Sequence, residues 1–189
     1  MAETILDAGR LSERLEVLEL QETSPGVWGW TTVRRAWAQV EQTTKTNLFS
    51  KVGVGARDAA VVLRRQPLTL RQALRWKGRH LFLTAITDLD RGHLNVAAAL
   101  VNPVDCRTEG EEGASGLQFP GILTEKYLKW EQPEPYSVNQ LTYVLVTPKV
   151  IDLRRGGLVW VAGAHYEVQV AHTLDEYKNE YEIFRTEDL

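Results

Sequence analysis

The amino-acid sequence predicts a mainly β protein: a small antiparallel β-barrel of SH3 or OB size, followed by a second small β unit. Two segments, Trp76–Leu83 and Trp160–Val168, each place a glycine between short runs rich in residues that favour strands. Short strand-like segments recur at intervals of about 8–12 residues with turn residues between them, which is typical of barrels and sandwiches.

The two glycine-centred segments also resemble each other. A shift of 85 positions superposes four identical pairs, which are Gly78 on Gly163, His80 on His165, Leu89 on Leu174 and Asp90 on Asp175. So few identities are weak evidence for a duplication. They are stronger evidence that both halves of the chain are built from tight hairpins.

The first strand is ambiguous from the residues alone. Leu11, Leu15 and Leu18 have helical spacing, whereas Leu18 and Leu20 alternate as in a strand. A turn follows at residues 24–26, and residues 28–40, dense in Trp, Thr and Val, predict a strand or a strand pair.

Residues 42–57 are polar, rich in Thr and interrupted by Gly, and predict a long loop or a protruding hairpin. Residues 59–65 predict a strand, and residues 68–74 a connection with a helical turn or two. A hairpin at Lys77–Gly78 and two strands joined by the turn at residues 90–92 complete the predicted first domain, residues 1–101.

Residues 102–121 are rich in Gly, Glu and Pro and predict a linker or an extended insertion. Residues 122–189 predict a second β unit or an interaction arm, with strands at 141–146, 150–153, 158–161 and 165–170. Tyr181, Ile183 and Phe184 suggest a final strand. Four aromatic side chains are candidate anchors of core or interface patches, and these are Trp28, Trp30, Tyr166 and Phe184.

The composition excludes several classes of protein. The chain has 189 residues, 43% hydrophobic and 25% charged, which are ordinary values for a globular protein with a sizeable core. A net charge of −3 argues against a general nucleic-acid coat. The lone Cys106 excludes an internal disulfide framework and fits a reducing compartment, and no segment predicts a signal peptide or a membrane span. We therefore expect a soluble intracellular product.

Charge is unevenly distributed along the chain. One stretch holds seven bases and a single acid, and its bases are Arg57, Arg64, Arg65, Arg71, Arg75, Lys77 and Arg79. Residues 175–188 hold six acids and two bases. Opposite patches of this kind suit subunits that assemble head to tail, and they are equally typical of two solvated faces.

The sequence contains little that predicts catalysis, a metal or a cofactor. Residues 53–57 contain glycines but lack the Lys-Ser/Thr of a phosphate-binding loop, and Asp88 with Asp90 offers too few ligands for a cation and is typical of a turn. The four histidines lack metal-ligand spacing, and these are His80, His93, His165 and His172. We predict a protein that is not an enzyme.

Five features occur in a characteristic order in the first hundred residues. They are an opening segment at 11–18, a turn at 25–26, the Trp-Thr-Thr-Val and Trp-Ala-Gln-Val runs at 30–40, a strand at 60–64 and a hairpin strand at 78–83. In this order the segment resembles the phage head–tail joining family, which includes the small β-barrel head-closure (stopper) proteins of siphophage necks. The resemblance implies that residues 11–18 form a strand.

The resemblance also implies a function. Such proteins form rings below the portal, retain packaged DNA and provide the platform to which the tail attaches. The implied partners are other copies of the chain in a hexamer or dodecamer, a portal or adaptor protein above, a tail-terminator or tail-completion protein below, and DNA in the channel, with no membrane. The implied location is the virion neck, with the host cytoplasm during assembly.

In this family the variable loop after the Trp-Ala strand can close the channel. The corresponding candidates here are Lys45, Asn47, Phe49, Lys51, Gly53 and Gly55. An ordinary surface loop is equally compatible with this composition. Because the chain is longer than the family pattern, an adaptor or tail-completion role stays open beside head closure. A remoter alternative is a nucleic-acid-binding barrel in which the basic stretch grips a strand and Trp76 stacks on a base.

Overall fold

Twelve β-strands in two units make up most of the chain that the computed structural model describes, namely residues 11–42, 57–110, 116–126 and 142–186. The first six strands are β1 (Glu13–Ser24), β2 (Val27–Gln42), β3 (Arg57–Arg64), β4 (Ala73–Trp76), β5 (Arg79–Asp88) and β6 (His93–Val101). The other six are β7 (Val104–Thr108), β8 (Gln118–Lys126), β9 (Thr142–Pro148), β10 (Leu158–Val161), β11 (Ala164–His172) and β12 (Lys178–Arg185). The mainly β prediction is confirmed.

The first unit is a closed ring of strands. Its order is β1-β4-β5-β6-β3-β2, and β1 pairs again with β2. Alternate side chains of these strands point inward and form an apolar core, whose largest fully buried members are Leu15, Val17, Val61, Leu63, Leu74 and Leu81. Since a closed ring has no free edge, its backbone hydrogen-bonding groups are used within the barrel.

The second unit closes in the same way. Its order is β8-β7-β10-β11-β12-β9, and β8 pairs again with β9. The inward side chains again form one apolar core, which includes Leu145, Ile151, Val159, Val161, Tyr181 and Ile183. The tip of the β1–β2 hairpin, Glu22–Trp28, also clusters with this unit, and Trp28 packs against its core.

The two rings have identical strand order. In each unit the first strand lies beside the fourth, and the fifth, sixth, third and second follow around the ring. The register repeats as well: Leu81 pairs with Leu100 and Tyr166 with Arg185, each 85 positions later. Both sheets carry a bulge at the same place, between Leu83 and Ala85 in β5 and between Val168 and Val170 in β11. The weak repeat in the sequence therefore corresponds to a duplicated architecture.

The repeated glycines are explained by their turns. Lys77 and Gly78 have φ of 49° and 78°, and Ala162 and Gly163 have φ of 49° and 87°. Two successive left-handed residues form the hairpin turn whose twist matches the flanking strands, and glycine adopts that conformation without strain.

Three segments differ from the prediction. The predicted linker 102–121 contains β7 and the start of β8; its alternation is hard to detect because Cys106 alone is deeply buried between the exposed Asp105 and Arg107. Residues 150–153 are not a strand, although Ile151 and Leu153 are buried. Residues 68–72 form a single turn rather than helical turns.

The ambiguity of the first strand has a physical cause. In β1, Leu15 and Val17 point into the barrel core, whereas Leu18 points to the opposite face and is also fully buried. Apolar residues on both faces of a strand imitate helical spacing in the sequence.

Candidate functional site

The seven bases of the basic stretch, the candidate basic face, are distributed over β3, β4, β5 and the connections between them. Arg57 and Arg64 begin and end the eight-residue strand β3, which places them roughly 23 Å apart. Arg71 is exposed in the connection before β4, and Arg79 is exposed where β5 begins. Bases that are close together in the sequence therefore lie on different elements of the structure.

Three of the seven bases are paired with acids. Arg65 Nη2 lies 2.9 Å from Asp88 Oδ1, Arg75 Nη1 lies 3.2 Å from Glu16 Oε2, and Lys77 Nζ lies 3.0 Å from Glu13 Oε1. Arg65 also donates to the carbonyl oxygens of Asp90 and Arg91, so it supports the β5–β6 turn. These pairs reduce the charge that the stretch offers to a ligand.

The structure brings together a different cationic group. Arg14, Arg35, Arg75 and Lys77 line a surface depression of about 270 Å³ with Glu16. Arg14 and Glu16 alternate with the buried Leu15 and Val17 of β1 and so point outward. Strand register then sets the outward Arg75 of β4 directly opposite Glu16, and Arg35 approaches from β2.

Glu16 holds this group together. Its carboxylate is 3.2 Å from Arg75 and 3.7 Å from Arg35, and it accepts a hydrogen bond from Thr32 Oγ1 at 3.3 Å. The two arginine side chains keep 40% and 61% exposure, so their remaining donors face solvent. A guanidinium that is held from one side can still donate two hydrogen bonds to an oxyanion on the other.

Lys77 is fixed at the rim. Its ammonium contacts Glu13 and lies 4.7 Å from the centre of the Trp76 ring. The hydrogen bond from Lys77, and then that from Trp76 Nε1, hold the pKa of Glu13 below its usual range. With four bases against two acids, Glu13 and Glu16, the depression keeps a positive charge.

His80 lies beside the site without adding to its charge. It pairs with Arg75 in the sheet register and is only 8% exposed, with its ring 5.2 Å from that of Trp30. Burial, and then the charge of Arg75, lower the pKa of His80 to about 4. The imidazole is therefore neutral near pH 7.

This arrangement can bind phosphate or carboxylate oxygens. Arg14 and Arg35 lie outside the basic stretch, and the prediction missed them. The alternation of Arg14, Leu15, Glu16 and Val17 was the signal that could have placed two charges on the outer face of β1.

Trp76 is unavailable for stacking on a base. It is 8% exposed, belongs to the barrel core and donates from Nε1 to Glu13. Among the described residues of this unit, the large exposed aromatic is Trp37, which is 59% exposed and lies on the same face of β2 as Arg35.

The remaining candidates from the sequence are the loop residues, the histidines with Cys106, and the aromatic anchors. The loop residues Lys45, Asn47, Phe49, Lys51, Gly53 and Gly55 lie outside the described residues. Two of the histidines contact carboxylates: His93 Nδ1 lies 2.9 Å from Asp90 Oδ2 within a turn, and His172 contacts Glu182. Burial raises the pKa of the Cys106 thiol to about 12. Among the described residues, no His, Cys, Asp and Glu side chains group into a metal site, and no helix is long and apolar enough to cross a membrane.

Tyr166 is a buried member of the core of the second unit, whereas Trp30 is half-buried and its ring contacts that of His80. Phe184 is half-buried.

No family model, curated protein or solved structure matches this chain.

Proposed function

We propose that this chain is a structural subunit of a phage neck. It assembles into a ring below the portal, retains packaged DNA and provides the platform for the tail. The observation that carries the proposal is the topology of the first unit, in which residues 43–56 connect the neighbouring strands β2 and β3 of a small closed barrel. This is the position of the variable channel loop in the family that the sequence resembles.

The closed barrels support an assembly role. Since both rings use their strand edges internally, neighbouring subunits would meet through side-chain surfaces rather than by extending a sheet. A cyclic ring repeats each such contact around its axis, so that weak contacts add up to a stable particle. Adaptor and tail-completion roles in the same neck are variants of the proposal.

The cationic depression supports contact with DNA. Arg14, Arg35 and Arg75 present guanidinium groups that suit phosphate oxygens, and the overall charge of −3 keeps binding local to this site. Positive charge at a channel wall would hold DNA without reading its sequence.

The first prediction concerns assembly. Purified protein at high concentration, alone or with its cognate portal protein, is expected to form closed rings. Negative-stain imaging would show them, and light scattering would give a mass of six or twelve chains. A species that stays strictly monomeric with portal protein present would contradict the proposal, and a gene whose neighbours encode portal and major capsid proteins would support it.

The second prediction concerns DNA. Replacing Arg14 and Arg35 together by Glu is expected to weaken binding to duplex DNA about tenfold at low salt, because two phosphate contacts become repulsive. The matched control is Arg71→Glu with Arg79→Glu, which changes the charge equally outside the depression. Fluorescence anisotropy across a salt series measures both. An equal loss of DNA affinity in the two double variants would show that the depression is not the DNA-binding site.

A second function, single-strand nucleic-acid binding, is favoured by the exposed Trp37 beside Arg35. The same anisotropy measurement separates the two hypotheses. A Trp37→Ala variant that loses single-strand binding, while no rings form, would favour the alternative. Unchanged affinity of Trp37→Ala for single strands would rule out the single-strand hypothesis.

A further inference from the structure

Two exposed leucines occupy equivalent turns in the two units. Over residues 73–101 and 158–186, which share strand order, register and bulge, the same residue occurs at four positions only. These positions are Gly78 and Gly163, His80 and His165, Leu89 and Leu174, and Asp90 and Asp175.

The fold explains three of the four identities. The glycines adopt the positive φ of their hairpin turns. Each histidine ring contacts a tryptophan of its own unit, Trp30 or Trp160. Asp90 accepts a hydrogen bond from the Gly92 amide, and Asp175 accepts one from the Tyr177 amide, so each aspartate closes its turn.

The fourth identity has no such explanation. Leu89 is 44% exposed and Leu174 is fully exposed, and neither belongs to the core cluster of its unit. Elsewhere the two segments have diverged almost completely. An exposed leucine in the connection between two strands contributes little to its own barrel, whereas it can bury its side chain in a partner.

The second unit contains a depression that suits such a side chain. It measures about 500 Å³, within the usual range of ligand pockets, and its apolar lining includes Leu117, Leu153, Leu158, Val159 and Val168. One wall is set by a close backbone approach, since a Cβ on Gly116 would lie 1.9 Å from the carbonyl oxygen of Thr108. Leu158, at 38% exposure, gives the lining an apolar surface open to solvent.

We propose that the Leu89 turn of one copy inserts into this depression on the second unit of a neighbouring copy. This contact would join neighbouring copies in the proposed ring. The inference therefore rests on the self-association in the proposed function and not on DNA binding or on a place in a virion. Because the two contacting surfaces differ, the contact runs head to tail, which is the kind that closes into a ring or continues as a filament.

Charge selects Leu89 over Leu174. The exposed Arg91 follows Leu89 by two positions, whereas Glu176 occupies the equivalent position after Leu174. The charged side chains that line the depression are the exposed Glu109, Asp152 and Arg154, so acids outnumber bases there by two to one. Arg91 therefore meets a lining in which acids are in excess, whereas Glu176 would meet charge of mainly its own sign, which opposes the wrong pairing.

Cysteine cross-linking between two single variants tests the contact. A Leu89→Cys sample and a Leu158→Cys sample, with tags of different size, are mixed and oxidised mildly. We expect a disulfide-linked heterodimer on a non-reducing gel, which an intramolecular bond cannot produce. The matched control mixes Leu174→Cys with Leu158→Cys and is expected to give at least tenfold less product. The native Cys106 is buried, and wild-type protein provides its background.

A charge exchange provides the second measurement. Arg91→Glu is expected to weaken self-association at least tenfold in sedimentation velocity, and Glu109→Arg with Asp152→Arg in the same chain is expected to restore it. No heterodimer, or equal product in both mixtures, would overturn the inference. Rings that persist in Leu89→Ser would overturn this contact while the proposed function stands, whereas absence of any ring in wild-type protein would count against both.

Discussion

Acidification from pH 6.5 to 4 is expected to destabilise the first unit by about 3 kcal/mol through His80 alone. Burial, and then the charge of Arg75, lower the pKa of this imidazole from 6.5 to about 4. Below pH 6.5 the unfolded chain takes up a proton that the folded chain does not accept. The stability that the neutral His80 contributes is therefore fully present above pH 6.5 and is lost as the pH falls to about 4.

Urea unfolding at several pH values measures this effect. The free energy of unfolding of wild type should fall more steeply between pH 6.5 and 4 than that of His80→Gln, which cannot ionise. Carboxylates titrate in both proteins, so the difference between the two slopes isolates the imidazole. His172→Gln, at an exposed side chain of the second unit, is the matched control for loss of a histidine. Parallel slopes for wild type and His80→Gln would refute the prediction.

Replacing Tyr181 by Phe is expected to destabilise the second unit by about 2 kcal/mol. The hydroxyl is buried, accepts from the Leu153 amide at 3.0 Å and donates to the Ile151 carbonyl oxygen at 3.1 Å. Ile151 keeps a second donor in Asn179 Nδ2 at 2.8 Å. The Leu153 amide loses this hydrogen-bond partner, and an unsatisfied buried amide accounts for most of the cost.

Thermal unfolding and hydrogen exchange of the Leu153 amide test this prediction together. Exchange at Leu153 should accelerate more than exchange in β12, because the segment that the hydroxyl holds is released first. Tyr177→Phe removes a hydroxyl from a half-buried position and provides the control. Tyr181 and both partners of its hydroxyl belong to the second unit, so the stability of the first unit should not change. A loss below about 0.5 kcal/mol would show that the contact is dispensable.

Local chemistry explains why much of the fold was predictable. The turns at Lys77–Gly78 and at Asp90 depend on residues within the turns themselves, so their positions follow from sequence. The alternation of Tyr166 and Val168 with His165 and Glu167 likewise shows directly which side chains of β11 enter the core. Strand β7 escaped detection because one buried Cys106 is too little apolar signal for a strand.

The candidate site depended on contacts between distant parts of the chain. Glu16 and Arg75 are 59 positions apart, and their contact requires β1 to pair with β4. The same pairing brings Glu13 to Trp76 and removes that ring from solvent. The basic stretch was found by counting bases along the sequence, whereas the tertiary structure determines which of those bases are paired with acids.

By itself, the sequence determined that the chain is built from β-hairpins and where several of the turns lie, because turn geometry and strand alternation are short-range properties. Tertiary structure decided that each set of six strands closes into a ring of the same order and that Arg14 and Arg35 join Arg75 and Lys77. Ring closure and charge pairing are long-range: they depend on which strands meet, and the sequence of any one strand does not specify its neighbour.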